Sequence, residues 1–215
     1  MLRVILEVRS PDESRPIDLE LPAEVPAAEL GLLIGAALQK SRDMRGQPLY
    51  YEIRMQPGGR RLSSTTTLAD AAAWDGQTLE MHAIVAAWFE SDSGTAYPLR
   101  SATVTIGRDE ARAGTPEEDF WLNLKSEPAA RSVSRQHAHL LFEHGQWQIT
   151  HLSQSNPTLV NGQALAHEIR MALRDGDRVT VGNVSITYHI GFPQPRSEIR
   201  SSAPAALATD EQSAP

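Results

Sequence analysis

At 215 residues, with 40% hydrophobic and 22% charged side chains, the chain has the composition of an ordinary globular protein and is long enough for two small domains. It contains no cysteine, which excludes disulfides, Cys-ligated zinc and a thiol nucleophile, and its net charge of −7 argues against nucleic acid, whose phosphates demand a basic face. No run approaches the roughly 20 apolar residues of a membrane span, and Met1-Leu2-Arg3-Val4 enters an alternating segment at once instead of a signal peptide, so a cytoplasmic protein is expected.

Leu2 to Arg9 alternates apolar and polar residues, and after a turn at Ser10-Pro11-Asp12-Glu13 the segment Pro16 to Leu21 alternates again, which predicts a β-hairpin. From Pro26 to Lys40 the residues Leu30, Leu33, Ile34, Ala37 and Leu38 fall three and four apart, as on one stripe of a helix. Tyr50 to Met55 reads as a strand, Gly58-Gly59 as a turn, Arg61-Leu62 as a short strand, Leu68 to Ala73 as a helical turn and Thr78 to Ile84 as a last strand. This order predicts an α+β β-grasp.

With Leu21-Pro22-Ala23-Glu24-Val25-Pro26 before the helix and Leu68-Ala69-Asp70 leading to Asp75-Gly76-Gln77-Thr78-Leu79, residues 1–85 resemble ubiquitin-like domains, in particular the bacterial YukD-like family associated with type VII secretion. The resemblance implies a docking module. Gly58-Gly59 lies inside it and reads as a hairpin turn using glycine's freedom at positive φ, not as a conjugation tail.

Trp88-Phe89 already looks like a new strand, leaving little room for a flexible linker, so a second unit over residues 86–192 is expected to pack closely on the first. Its strands are predicted at Tyr97 to Arg100, Thr103 to Ile106, Phe120 to Leu124, Leu140 to Glu143, Trp147 to Thr150, Leu159-Val160, Glu168 to Met171, Arg178 to Val181 and Val184 to Ile190. In residues 193–215 Pro, Ser and Ala dominate, which predicts a disordered tail.

Three polar loops flank these strands: Gly107-Arg108, Ser134-Arg135-Gln136-His137, and Ser155-Asn156-Pro157-Thr158-Leu159-Val160-Asn161-Gly162. Two guanidinium forks and a serine hydroxyl supply what a phosphate ester needs, since the dianion offers three acceptor oxygens and about −1.5 to −2 charge. Asn156 brings an amide able to donate and accept at once, suited to the backbone of an extended peptide.

Together with Leu173-Arg174-Asp175-Gly176-Asp177-Arg178-Val179-Thr180-Val181-Gly182, these motifs resemble the forkhead-associated (FHA) domain family in their order. The resemblance implies an all-β, eleven-strand FHA sandwich that binds phosphothreonine peptides. It places Arg108, Ser134 and Arg135 on the phosphate, Asn156 on the peptide backbone and Ser155 as a further donor, with Gly107, His137, Thr158, Asn161 and Gly162 in supporting roles. Two departures stand out: Pro157-Thr158 where the family often has Gly-Thr, and a long acidic segment from Asp109 to Asp119.

The expected function is a non-enzymatic adaptor needing no cofactor. Its sandwich would recruit a threonine-phosphorylated kinase substrate while the ubiquitin-like unit docks a second partner. Two other readings stay open: a constitutive, phosphate-independent assembly component of a type VII-like secretion system, and a hydrolase built on the histidines. His137 and His139, with His144 or His151, lack a carboxylate at ligand spacing, so no metal site is expected; nor is there a Gly-x-Ser-x-Gly elbow around Ser134. Glu117-Glu118-Asp119 reads as a solvated loop, with Thr115 nearby, and Thr209 in the tail, as candidate phosphoacceptors.

Overall fold

The computed structural model describes residues 3–9, 15–108 and 119–193. Strand β1 (Arg3–Arg9) pairs antiparallel with β2 (Ile17–Pro22), helix α1 spans Ala27–Ala37, and β3 (Leu49–Met55), β4 (Arg60–Arg61) and β5 (Thr78–Val85) follow. They form one five-stranded sheet in the order β2-β1-β5-β3-β4, in which the β1–β5 pair is parallel and the others antiparallel. The alternation of β1 turns Val4, Leu6 and Val8 inward, where they meet Leu30, Ile34, Tyr51, Ile53, Leu68, Leu79 and Met81 in one core. Gly58 and Gly59 take φ values of 97° and 64° in the turn between β3 and β4, the conformation expected of them.

The helix stripe differs from expectation. Leu30 and Ile34 are buried, but Leu33 is 47% exposed and Ala37 also faces out, while Gly31 and Gly35 are buried. A Cβ on Gly31 would stand 2.8 Å from the Tyr51 carbonyl oxygen, and one on Gly35 would stand 2.7 Å from the Tyr51 ring. The helix therefore turns its smallest residues towards β3 to come close to the sheet, and a pattern that counts only large apolar residues misjudges the face by part of a turn.

Among the described residues eleven further strands build a sandwich: β6 (Ala87–Ser91), β7 (Ala96–Leu99), β8 (Thr103–Gly107), β9 (Trp121–Asn123), β10 (Ala138–Glu143), β11 (Gln146–His151), β12 (Thr158–Val160), β13 (Gln163–Ala164), β14 (Arg170–Ala172), β15 (Arg178–Val181) and β16 (Val184–Ile190). One sheet runs β14-β11-β10-β8-β9 and the other β13-β12-β15-β16-β6-β7. Phe89, Ile106, Leu140, Trp147, Ile149, Val179, Val181 and Ile186 fill the space between. The loop between β10 and β11 is the two-residue turn His144-Gly145, both at positive φ, matching the twist of a tight hairpin.

The two halves share structure. Tyr50 and Ile84 of the first sheet belong to the sandwich core, and the Trp147 indole N–H donates to the Val85 carbonyl at 2.9 Å. Arg61, its side chain 8% exposed, lies 3.0 Å from Asp119 and 3.7 Å from Glu52, and stacks 4.0 Å from the Phe120 ring centroid. Asp119 also accepts the Ser64 N–H at 2.8 Å. Asp119 is thus no solvated loop residue, correcting that expectation: its carboxylate is one of the ties between the sandwich and the first unit. The other expectations for the acidic segment, Thr115 included, lie outside the described residues, as do the Ser10–Glu13 turn and the tail beyond Pro193 with Thr209.

Candidate functional site

The end of β8, the start of β10 and the end of β11 lie at the same end of one sheet, because β10 pairs antiparallel with both neighbours. The three motif loops leave the sandwich there. Gly107 closes β8 at a point where the next loop comes unusually near: a Cβ on it would stand 1.8 Å from the Arg135 carbonyl oxygen and 3.2 Å from that of Ser134. The Arg108 N–H donates to the Ser134 carbonyl at 3.2 Å. Gly107 is therefore required by the close approach of two backbones, and the approach brings the Arg108 loop onto the Ser134-Arg135 loop.

His137, fully buried, ties the arrangement together. Its Nδ1 accepts the Ser134 N–H at 3.0 Å, so that nitrogen carries no proton; the ring proton sits on Nε2, 3.3 Å from the Pro157 carbonyl. Its own N–H donates to Ile106, and its carbonyl accepts from Leu152 and Ser153. One residue thus ties the end of β8 to the second and third loops.

The bonding requires the neutral ring, and burial, the main cause, holds its pKa below the ordinary histidine value. Burial also lowers His139 and His151. A base whose folded pKa is depressed contributes stability that is complete above its unfolded value, about 6.5, and is lost as pH falls through the folded one. Thermal melts are therefore expected to show Tm falling as the buffer is acidified below about pH 6.5, and a His137→Gln chain is expected to fall less steeply. Equal slopes would remove His137 from that account.

Asn156 donates through Nδ2 to the Ser132 carbonyl at 2.8 Å, holding the third loop against the second. Ser134 Oγ lies 2.7 Å from Ser153 Oγ, and Ser153 Oγ also accepts the N–H groups of Ser155 and Asn156 at 3.2 and 3.4 Å. Arg108 and Arg135 are exposed, and among the described residues neither is paired with a carboxylate. Two exposed guanidinium groups and a hydroxyl, carried on loops that touch, are groups that can take an anion with several acceptor oxygens.

The structure separates the remaining motif residues from this cluster. Thr158 is fully buried, its hydroxyl 2.9 Å from His151 Nδ1. Asn161 and Gly162 stand past the other end of β12, where Asn161 donates to Asp177 and accepts the Arg178 N–H. Their support is to the sandwich, through the turn into β13. Sequence reasoning did not single out Ser132, Ser153 or Asn183. Ser132 accepts from Asn156 and, through its Oγ, from the Asn183 N–H at 2.8 Å, and Gly182 is held so close that a Cβ would stand 2.4 Å from the Ser132 carbonyl. Small hydroxyl residues two before Ser134 and two before Ser155 were the available signal. Among the described residues no three His, Asp or Glu side chains are grouped to hold a metal ion.

A β-sandwich with a cluster of polar loops at one end, preceded by a five-stranded mixed sheet with one helix that shares its core, is the class the fold and site define. Two family models match it, the FHA domain over residues 104–182 and the YukD protein of the WXG100 protein secretion system (Wss) over residues 4–81. The chain is an FHA-domain protein with an N-terminal YukD-like domain.

Among solved structures it is similar to Mycobacterium tuberculosis EmbR in complex with a low-affinity phosphopeptide, at 24% identity and a TM-score of 0.41, over 52% of this chain and 26% of that one. It is also similar to the N-terminal FHA domain of Saccharomyces cerevisiae Rad53p in complex with a phosphothreonine peptide (21% identity, TM-score 0.39, 50% of this chain and 94% of that one). A third is an FHA domain of an Arabidopsis thaliana protein (23%, 0.40, 52% and 92%). No curated protein matches the chain.

Proposed function

We propose that the protein is a phosphothreonine-dependent adaptor. Arg108, Ser134 and Arg135 take the phosphate, Ser155 and Asn156 face the peptide, and Gly107 and His137 hold the loops in place. The observation that carries this reading is the joining of the Arg108 and Ser134-Arg135 loops at a backbone separation only glycine permits, which brings together the two loops that bear the exposed arginines and the serine. The partner is then a threonine-phosphorylated kinase substrate, and phosphorylation is the switch. Residues 1–85 form a ubiquitin-like β-grasp that docks a second partner, and residues 86–192 the FHA unit, in a cytoplasmic protein that performs no catalysis.

A degenerate phosphothreonine peptide library is expected to bind while its unmodified twin does not. Affinity should fall as salt rises, and as pH drops through the phosphate's second pKa near 6. That pH effect should persist in His137→Gln, which separates titration of the ligand from titration of the loop histidine. Equal binding of the two libraries would sink the reading. A second reading is favoured by the YukD match: a constitutive assembly component of a type VII-like secretion system, binding without phosphate. Complexes assembled that way would survive phosphatase treatment and tolerate Arg108→Ala.

A further inference from the structure

We propose that Ser153 sets the direction of the Ser134 hydroxyl proton, and so acts as a positioning residue for the phosphate. The inference rests on the phosphothreonine reading and adds to it a residue outside the ligand-facing set. The two Oγ atoms are 2.7 Å apart, a separation that holds a single proton between them. Which serine supplies that proton is decided by the other partners of Ser153.

Ser153 is 4% exposed, and its Oγ faces the backbone N–H groups of Ser155 and Asn156. A backbone N–H can only donate. A serine hydroxyl has one proton and two lone pairs, so with both lone pairs engaged Ser153 directs its proton to Ser134 Oγ. Ser134 then keeps its own proton for a third party. Its N–H is already committed to His137 and its carbonyl accepts from Arg108, so the hydroxyl is the Ser134 group left to meet a ligand.

The direction matters because an ionised phosphate oxygen only accepts. Were Ser134 to donate to Ser153, it would turn lone pairs towards the anion, and attraction would become repulsion. The same Ser153 oxygen also fixes the backbone of Ser155-Asn156, so one buried hydroxyl orients groups on both loops.

The test is a double-mutant cycle on the full chain, measured by fluorescence anisotropy with a phosphothreonine peptide taken from the library, with amide NMR spectra confirming that each variant is folded. Ser153→Ala is expected to weaken binding about 3- to 10-fold, the worth of a net hydrogen bond. In a Ser134→Ala background the same change is expected to cost clearly less than it does in wild type, because the hydroxyl it orients is gone and only its hold on the Ser155-Asn156 backbone remains. Ser153→Thr, which keeps the hydroxyl, is expected to stay within about twofold of wild type.

Affinity unchanged in Ser153→Ala, or a loss that persists in full when Ser134 is already alanine, overturns the proposal. If Ser153→Ala does not fold, Ser153→Thr decides: a folded threonine variant more than about tenfold weaker overturns it, and retained affinity supports it. A wild-type chain that fails to distinguish the phosphorylated peptide from its twin removes the phosphothreonine reading and this inference together. Discrimination by wild type without coupling between the two serines removes this inference alone.

Discussion

Replacing Arg108 with alanine is expected to cost about 2 to 5 kcal/mol of phosphothreonine-peptide binding, the penalty for leaving one side of a desolvated charge pair without its partner. Folding should scarcely change. Arg108 is exposed, and the bond that places it is made by its main-chain N–H to Ser134, which alanine retains. Surface substitutions of that kind usually stay within about 0.5 kcal/mol of stability. Isothermal titration beside a thermal melt separates the two quantities. Binding kept to within about twofold would place the phosphate elsewhere or remove it from the function. Arg108→Lys is a useful companion, since it keeps the charge but loses the planar fork, and an intermediate loss is expected of it.

Gly107→Ala should produce the opposite pattern, a loss of stability and of binding together. The added methyl would lie 1.8 Å from the Arg135 carbonyl oxygen and 2.7 Å from its carbon, so the backbones must separate by more than an ångström. Gly107 has no left-handed conformation to lose, so the penalty is steric alone. The neighbouring bonds from Leu124 to the Gly107 carbonyl and from Arg108 to Ser134 would be stretched with it. Overpacking of this kind costs about 1 to 3 kcal/mol, and binding groups need to be held within about 0.5 Å of their working geometry. Denaturant unfolding should register the first effect and peptide titration the second. A Gly107→Ala chain as stable as wild type would show that the loops can part without strain.

The two substitutions differ because the arginine acts through its side chain and the glycine through the side chain it lacks. A division between local and distant contacts runs through the rest of the molecule. The β1–β2 hairpin and the diglycine turn follow from alternation and positive-φ chemistry within a few residues, and they occur as read. The face of α1 was misread because Gly31 and Gly35 mark the contact by absence of bulk, and only the position of Tyr51 across the sheet shows it. Asp119 was misread because its partner Arg61 is 58 residues away and belongs to the other unit.

The sequence alone determined most of the strands in their order, though not the short β13, and the residue types that make the polar loops a candidate anion site, because these depend on local periodicity and on what each side chain can donate. Tertiary structure decided how those loops meet. It drew Ser134, Ser153 and Asn156 into one hydrogen-bonded cluster, left Asn161 and Gly162 at the far end of β12, and seated the sandwich on the first unit through Arg61 and Asp119. Contacts between residues distant in the chain arise from the pairing of β8, β10 and β11 and the packing of two sheets, and no short window of sequence carries that information.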